Sequence, residues 1–449
     1  MRQIKALMGA AAIFTAMLLS GCMEKEPNDL AYVVALGFDK AEAPDNYIMT
    51  IQFARPTNIS GSGGESGGSG QGIVENIAVE APNIYAGINL ADHIVSKELS
   101  LSHAKLIVFS EDVAKDGIAD VMETFARNEE LRPDIYLAVA IGSAQEYLFK
   151  VKPVVEVNPA RYYQLIYNQR YTSGIPKTTA ADFYYNQKSG LCDNVLPLAG
   201  TVHLEDEEEN EGSGGSGGSG GDSGGSGGGG GDGTNSEGTD PKESKNKLQA
   251  DAPSTDERFE YRLRDYIAGE VAINQKNESE TMGMAYFLGD KKIGTAGSLE
   301  TELYNMLIGH FDEVYMTLMC DKQDAVTVLA LANKKPKYDI DRKKRKVEIT
   351  LYFESDLYSL PTDYLAESGI EGFERAARDE ITEAAEKFIN ETIRPSGADL
   401  LGLRSKFKSC FLTNAEYEKQ KDEIMDYDIS VKVKFRVRRT GLTIKEAGE

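Results

Sequence analysis

Four cysteines, four histidines and no tryptophan in 449 residues leave this chain poor in the side chains that most often carry metal or redox chemistry. Cys22, Cys192, Cys320 and Cys410 are widely separated and make no C-x-x-C pair, so a zinc ribbon or a thioredoxin-like centre has no support. The last three read as ordinary buried thiols. His93, His103, His203 and His310 show no H-x-x-x-H spacing. His103, at the start of a strand, reads as structural. The glycine-rich runs lack the G-K-[ST] of a phosphate cradle. A literal nucleophile-elbow match, Gly224-Gly225-Ser226-Gly227-Gly228, has neither the strand before it nor the helix after it that would expose the serine. Carboxylates are abundant, but no pair is marked out. No catalytic, metal or cofactor-binding residue can be assembled, so an enzyme is not expected. Positive charge is also scarce: 49 Lys and Arg against 72 Asp and Glu give a net charge of −23. That balance argues against nucleic-acid binding and against electrostatic adhesion to anionic lipid.

Long apolar runs are missing too. The longest, Ala6 to Leu19, reaches only about 21 Å as a helix, short of a bilayer core of about 30 Å. Its setting is informative. Arg2 and Lys5 precede it, and Leu19-Ser20-Gly21-Cys22 follows, the layout of a secretory signal over residues 1–21. The tetrad resembles the bacterial lipobox, in which the cysteine thiol takes a diacylglyceryl group and becomes the new N-terminus. Cys22 is therefore the expected lipidation site, and two acyl chains would hold the chain on a lipid bilayer. A plain signal peptide with a chance cysteine is the alternative. Loss of Arg2 and Lys5 takes the net charge from −23 to −25.

After the signal, the chain divides by composition. Residues 22–204 form an expected α/β domain. Leu30–Phe38 reads as a buried strand, joined through a Pro44-Asp45-Asn46 turn to an alternating strand at 47–53. A glycine and serine loop fills 60–72. A helix carrying Ile84, Ile88, Ala91 and Val95 comes next, then a strand at Ala104–Phe109. One helix bears Val113, Ile118, Val121, Met122 and Phe125, before an apolar strand at Ile135–Ile141. Ser143 to Glu146 is a capping-box sequence. Two helices at 158–186 carry Tyr162, Tyr163, Tyr167, Tyr171, Tyr184 and Tyr185, read as core or interface rather than a ligand cage.

Residues 205–257 hold 14 acidic residues and 3 lysines among glycines and serines. Such a segment cannot bury enough apolar surface to offset its ordering entropy, so a disordered linker is expected there. Proteolysis within it should release a stable C-terminal piece beginning near Phe259. The second domain, 258–449, opens with a hairpin at Met282–Gly294 and a helix carrying Leu299, Leu303, Met306 and Leu307. Strands follow at Val314–Met319, Val326–Ala332 and Val347–Phe353. A long helix, Ile370 to Thr392, places Phe373, Ala377, Ile381, Ala384 and Phe388 on one face and ends before Pro395. The closing stretch Ile429–Arg438 alternates apolar and basic residues, a strand with a cationic outer face. The bland reading is a protected edge; the sharper one is a docking stripe for an acidic partner. The whole is expected to be α+β, with antiparallel and mixed sheets in two or three domains.

Several blocks together resemble the Ger(x)C family, the lipoprotein subunit of spore germinant receptors. They are Asp29-Leu30-Ala31 with Ala35-Leu36-Gly37-Phe38-Asp39-Lys40; Leu101 to Glu111 with Arg127 to Arg132 and Ala140 to Ala144; Gly283 to Gly294; and Ala398-Asp399-Leu400-Leu401-Gly402-Leu403 with Val431 to Gly441. The resemblance implies a mixed α/β protein anchored at an extracytoplasmic membrane face, such as the outer leaflet of the spore inner membrane. It implies integral-membrane receptor subunits as partners, and supplies no catalytic residues. A substrate-binding lipoprotein of a transporter is the alternative, and a surface hydrolase a third.

Overall fold

The computed structural model describes residues 29–54, 74–153, 156, 158–168, 174–201, 265–271, 278–320, 324–359 and 364–440. The signal, Cys22, the 60–72 loop, Tyr171 and the 205–257 linker lie outside the described residues. The elements run β1 (Leu30–Lys40), β2 (Tyr47–Ala54), β3 (Val74–Ala81), α1 (Ile84–Asp92), β4 (Glu98–Ser100), β5 (Leu106–Ser110), α2 (Glu111–Asp116), α3 (Ala119–Ala126), β6 (Tyr136–Ala140), α4 (Ala144–Lys150), α5 (Pro159–Ile166), α6 (Ala180–Ser189) and β7 (Val195–Thr201). After the linker come β8 (Ser279–Leu288), β9 (Lys291–Ala296), α7 (Ser298–Ile308), β10 (Glu313–Cys320), β11 (Asp324–Asp341), β12 (Lys346–Ser359) and α8 (Tyr364–Phe388). The chain closes with α9 (Leu403–Lys408), α10 (Asn414–Gln420) and β13 (Asp428–Arg439).

Two sheets organise these elements, and the α+β class read from the sequence is the one observed. The larger has the order β3-β2-β1-β5-β6-β7-β8-β9, with β4 added beside β1. Its centre is parallel, β1 to β5 to β6 to β7, and its flanks are antiparallel. Leu106, Ile107, Val108 and Phe109 are all buried, because helices cover both faces of the central strands. Ile107, Phe109, Leu137 and Val139 face one core with α1, α2, α3 and α6. Leu106, Val108, Ala138 and Ala140 face the other with α4 and α5. The first hairpin past the linker does not start a separate layer: β8 pairs with β7 from Val195↔Tyr286 to Thr201↔Ser279. The sequence segments on either side of the linker therefore share one sheet within one compact unit.

The smaller sheet, β10-β11-β12-β13, carries α8 on one face. Phe373, Ala377, Ile381, Ala385 and Phe388 form the buried stripe. Ala385 thus takes the place expected for Ala384, because the stripe keeps a four-residue step as far as residue 385. Two outer strands leave N–H groups to be satisfied, and α8 supplies the acceptors. Glu380 accepts from Met319 N of β10 at 2.8 Å, while Glu386 and Glu374 accept from Val431 N and Val437 N of β13 at 3.0 and 2.9 Å. Occupying edge donors in this way blocks pairing with another chain. The helix also passes the stop expected at Pro395. A π-helical turn, Ile389–Ile393, bonds Arg394 N back to Ile389 O and widens the helix, and a last turn, Arg394–Ser396, includes the proline.

Two further local expectations change. The helix expected across Val113 to Phe125 is broken at Gly117, whose φ of 121° no other residue adopts easily. Asp290, in the β8–β9 turn, fills the break: its backbone carbonyl accepts Ile118 N at 3.1 Å and its carboxylate accepts Ala119 N at 3.4 Å. The capping box at Ser143–Glu146 is half formed. Ser143 accepts from Glu146 N, but the Glu146 carboxylate turns to Lys150 and Thr201. Asp39 takes the free donors instead, accepting Ala144 N and Gln145 N at 2.8 Å each. Burial still pushes its carboxyl above the usual range.

Candidate functional site

The block Ala398-Asp399-Leu400-Leu401-Gly402-Leu403 sits where the two sequence segments meet. Gly402, the residue before α9, offers no side chain to its helix, so the N–H groups of Leu403 and Arg404 point at the Asp399 carboxylate, 2.7 Å from each. Asp399 is only 1% exposed, and burial raises its carboxyl above the usual range against the pull of those donors. Asp193, from the first segment, holds the same loop. It accepts Asp399 N at 2.8 Å, donates its own N–H to Asp399 O at 3.1 Å, and accepts Gly289 N at 3.0 Å. Arg404 lies 3.6 Å from Asp193 and 3.0 Å from Asp422.

Beside this clamp lies a crevice of about 270 Å³ whose lining includes Lys177, Asp182, Asn186, Cys192, His310 and Lys406. Lys406 donates to Leu401 O at 2.5 Å and stands 4.2 Å over the Tyr338 ring. Burial draws its ammonium, and the His310 imidazole, below their ordinary values. Cys192 donates to Asp193 O and Asp399 O at 3.2 and 3.4 Å. Its thiol is pushed up to about 12, by burial first and by nearby Asp399 second. A thiol held protonated is a poor nucleophile and a poor metal ligand. No group of three His, Cys, Asp or Glu among the described residues could hold a metal. The crevice offers polar contacts through Lys177, Asp182, Asn186 and Lys406.

A reactivity test follows from the thiol. In the native protein Cys192 should resist iodoacetamide at pH 8 and react when urea opens the fold. A raised folded value means its contribution to stability is intact below the unfolded value near 9 and is lost as pH rises toward 12. Native-state labelling of Cys192 at the rate of a free thiol would refute the assignment.

Other residues singled out in the sequence are scattered. Of the tyrosines, Tyr163 and Tyr167 are fully buried and join Tyr147, which the sequence did not flag. Tyr163 donates to Gln52 Oε1 at 2.5 Å, and the Tyr147 and Tyr167 hydroxyls lie 3.3 Å apart. Desolvation drives all three phenols well above their ordinary range, as expected of core residues. Tyr185 is exposed and Tyr184 packs on the core edge. His103 contacts the Tyr32 ring at 4.6 Å and Ser102 Oγ at 3.0 Å. Cys410 is a half-buried free thiol.

The last strand adopts the expected alternation, with Ile429, Val431, Val433 and Phe435 inward and Ser430, Lys432, Lys434 and Arg436 outward. It is an edge strand, parallel to β12. Arg438 grips Asp356 through two bonds of 3.0 and 2.7 Å, which hold that carboxyl below its usual range. What the sequence reading missed is that β11 brings more cations to this face. The signal was present in Lys334-Lys335-Pro336-Lys337, beyond the expected end of that strand.

Comparison with known proteins places this arrangement. Residues 24–201 match the model described as the spore germination protein N-terminal domain. Residues 282–441 match the one described as spore germination B3/GerAC like, C-terminal. A curated relative, YfkR of Bacillus subtilis (strain 168), whose name refers it to spore germination, is 28% identical over 138 residues. That match spans 30% of this chain and 35% of the relative's length. Among solved structures, the crystal structure of the GerBC protein aligns with 90% of this chain and 96% of its own at 15% identity and a TM-score of 0.45. The two family segments lie in order on either side of the acidic insertion and pair through β7 and β8, and the chain belongs to the GerAC-like family of spore germination proteins.

Proposed function

We propose that this protein is a membrane-anchored lipoprotein subunit of a spore nutrient germinant receptor, working by protein–protein contact with integral-membrane receptor subunits. The observation that carries the reading is the match of both halves, in order, to spore germination domains. The Leu19-Ser20-Gly21-Cys22 sequence supports the anchor. No helix among the described residues is long and apolar enough to cross a membrane. Holding the body at the bilayer raises its concentration at membrane partners and turns weak docking into lasting association.

Spores of a deletion strain are expected to form normally and to germinate slowly or not at all with particular single nutrients. Wild type should restore the response. Cys22→Ala should restore little of it and should take up no labelled lipid. Normal germination with every nutrient, in a strain cleared of other receptors, would refute the reading. Loss of uptake of one solute would favour a transporter lipoprotein instead.

A further inference from the structure

The outer face of the smaller sheet concentrates positive charge in a chain of net −23. Register puts Lys337, Thr350 and Lys432 in one row and Lys334, Tyr352 and Lys434 in the next, with Arg436 opposite Glu354 in the third. Lys334 and Lys434 both lie over the Tyr352 ring, 5.7 and 5.2 Å from its centre. Thr350 is only 4% exposed although it faces outward, as expected where long lysine stems lie across it. Lys337 pairs with Asp339 at 2.7 Å. Among the described residues, no ion pair joins Lys334, Lys335, Lys432 or Lys434 to a carboxylate.

An irregularity in β11 adds an apolar feature. Ala332 registers with Phe353, Lys334 with Tyr352 and Lys337 with Thr350, so β11 carries two extra residues against β12. A crevice of about 230 Å³ opens at this bulge. Buried Met306, Phe311, Leu351 and Phe353 line it together with Asp312, Asn333, Lys334 and Lys335.

We propose that this face docks on an anionic phospholipid bilayer. It presents five cations, Lys334, Lys337, Lys432, Lys434 and Arg436, on β11 and β13 either side of β12, against Asp339, Glu348 and Glu354 in the same registers, a cluster of the size that binds anionic headgroups. The chain's overall negative charge does not forbid contact. Screening within about 8 Å at physiological salt leaves the local face to decide. A crevice that sets Met306, Phe311, Leu351 and Phe353 beside Lys334 suits an amphiphile better than an acidic peptide, because a phospholipid supplies both an anionic head and an apolar body. The proposal rests on the anchored reading only for bringing the face near a bilayer.

The test uses the chain from Met23 onward, which lacks Cys22 and carries every described residue. Co-sedimentation is measured with phosphatidylcholine vesicles, with and without phosphatidylglycerol. Association should need phosphatidylglycerol and weaken as salt rises. Each neutralised cation should cost about fivefold, so Lys334→Gln, Lys432→Gln, Lys434→Gln and Arg436→Gln together should cost about 600-fold. Neutralising Arg127, Arg132, Lys387 and Lys419, exposed on other elements, should leave binding unchanged. If the fourfold variant does not fold, Lys432→Gln with Arg436→Gln, which leaves both lysines over the Tyr352 ring, should still cost about 25-fold. No association of the unaltered chain, or equal loss in the control set, overturns the proposal. Capture by polyglutamate without capture by vesicles does so as well, and assigns the face to an acidic protein. Because the measurement involves neither acylation nor germination, its failure leaves the receptor reading standing.

Discussion

A chain cut at a protease site engineered between residues 205 and 257 should elute as one body and come apart only in denaturant. Composition alone predicted release of a free C-terminal piece. The ladder argues otherwise, since β8 closes hydrogen bonds with β7 and cannot leave without exposing both strands. Phe287, fully buried, packs edge-on against Phe183 of α6 at 5.5 Å. Lys292 of β9, almost wholly buried, holds Glu111 of α2 at 2.7 Å and keeps that carboxyl below its usual range. Asp290 supplies the missing acceptors at the start of α3. Phe287→Ala should weaken the join by about 3–5 kcal/mol. It should therefore lower the denaturant concentration at which the cut pieces separate. Size-exclusion chromatography before and after cleavage reads the result, and two separate peaks in native buffer would refute the shared-sheet account.

Asp399→Ala should be among the most destabilising single changes, costing about 3 kcal/mol in urea unfolding. It strips the acceptor from the buried Leu403 N–H and the part-buried Arg404 N–H, and leaves Arg404 and Lys406 with less negative charge nearby. Asp399→Asn should cost about half as much, because one acceptor oxygen remains and the buried charge is gone. The pH dependence has a definite sign. The folded value is raised, so the contribution of this group is intact below its unfolded value near 3.8 and falls as pH rises through the folded one. The alanine variant should lose that slope. Equal stabilities for wild type and Asp399→Ala would show that the loop is held by other contacts.

Much of the first sheet was legible, because its central strands are apolar on both faces. Leu106 to Phe109 and Leu137 to Ala140 announce burial by continuous apolarity, and β13 announces a half-buried strand by strict alternation. Elements were misjudged where a distant residue intervened. Asp39 accepted the first two N–H groups of α4, Asp290 occupied the break at Gly117, and the π turn carried α8 through Pro395. β11 ran to Asp341 because β12 offered it a partner, although Asn333 to Lys337 carry little apolar signal of their own.

Local order was enough to read the buried faces of β1, β5, β6 and β13 and most of the stripe on α8, and to find the cysteine that follows the signal-like run. Those depend on the order of neighbouring residues and on composition. Only the tertiary structure decided that β7 pairs with β8 across the acidic insertion, that Asp193 clamps the Asp399 loop, and that Lys334 and Lys434 share one tyrosine ring. Periodicity fixes a side chain's face, but a partner far along the chain is chosen by hydrogen-bond register and packing of the whole, for which no local pattern exists.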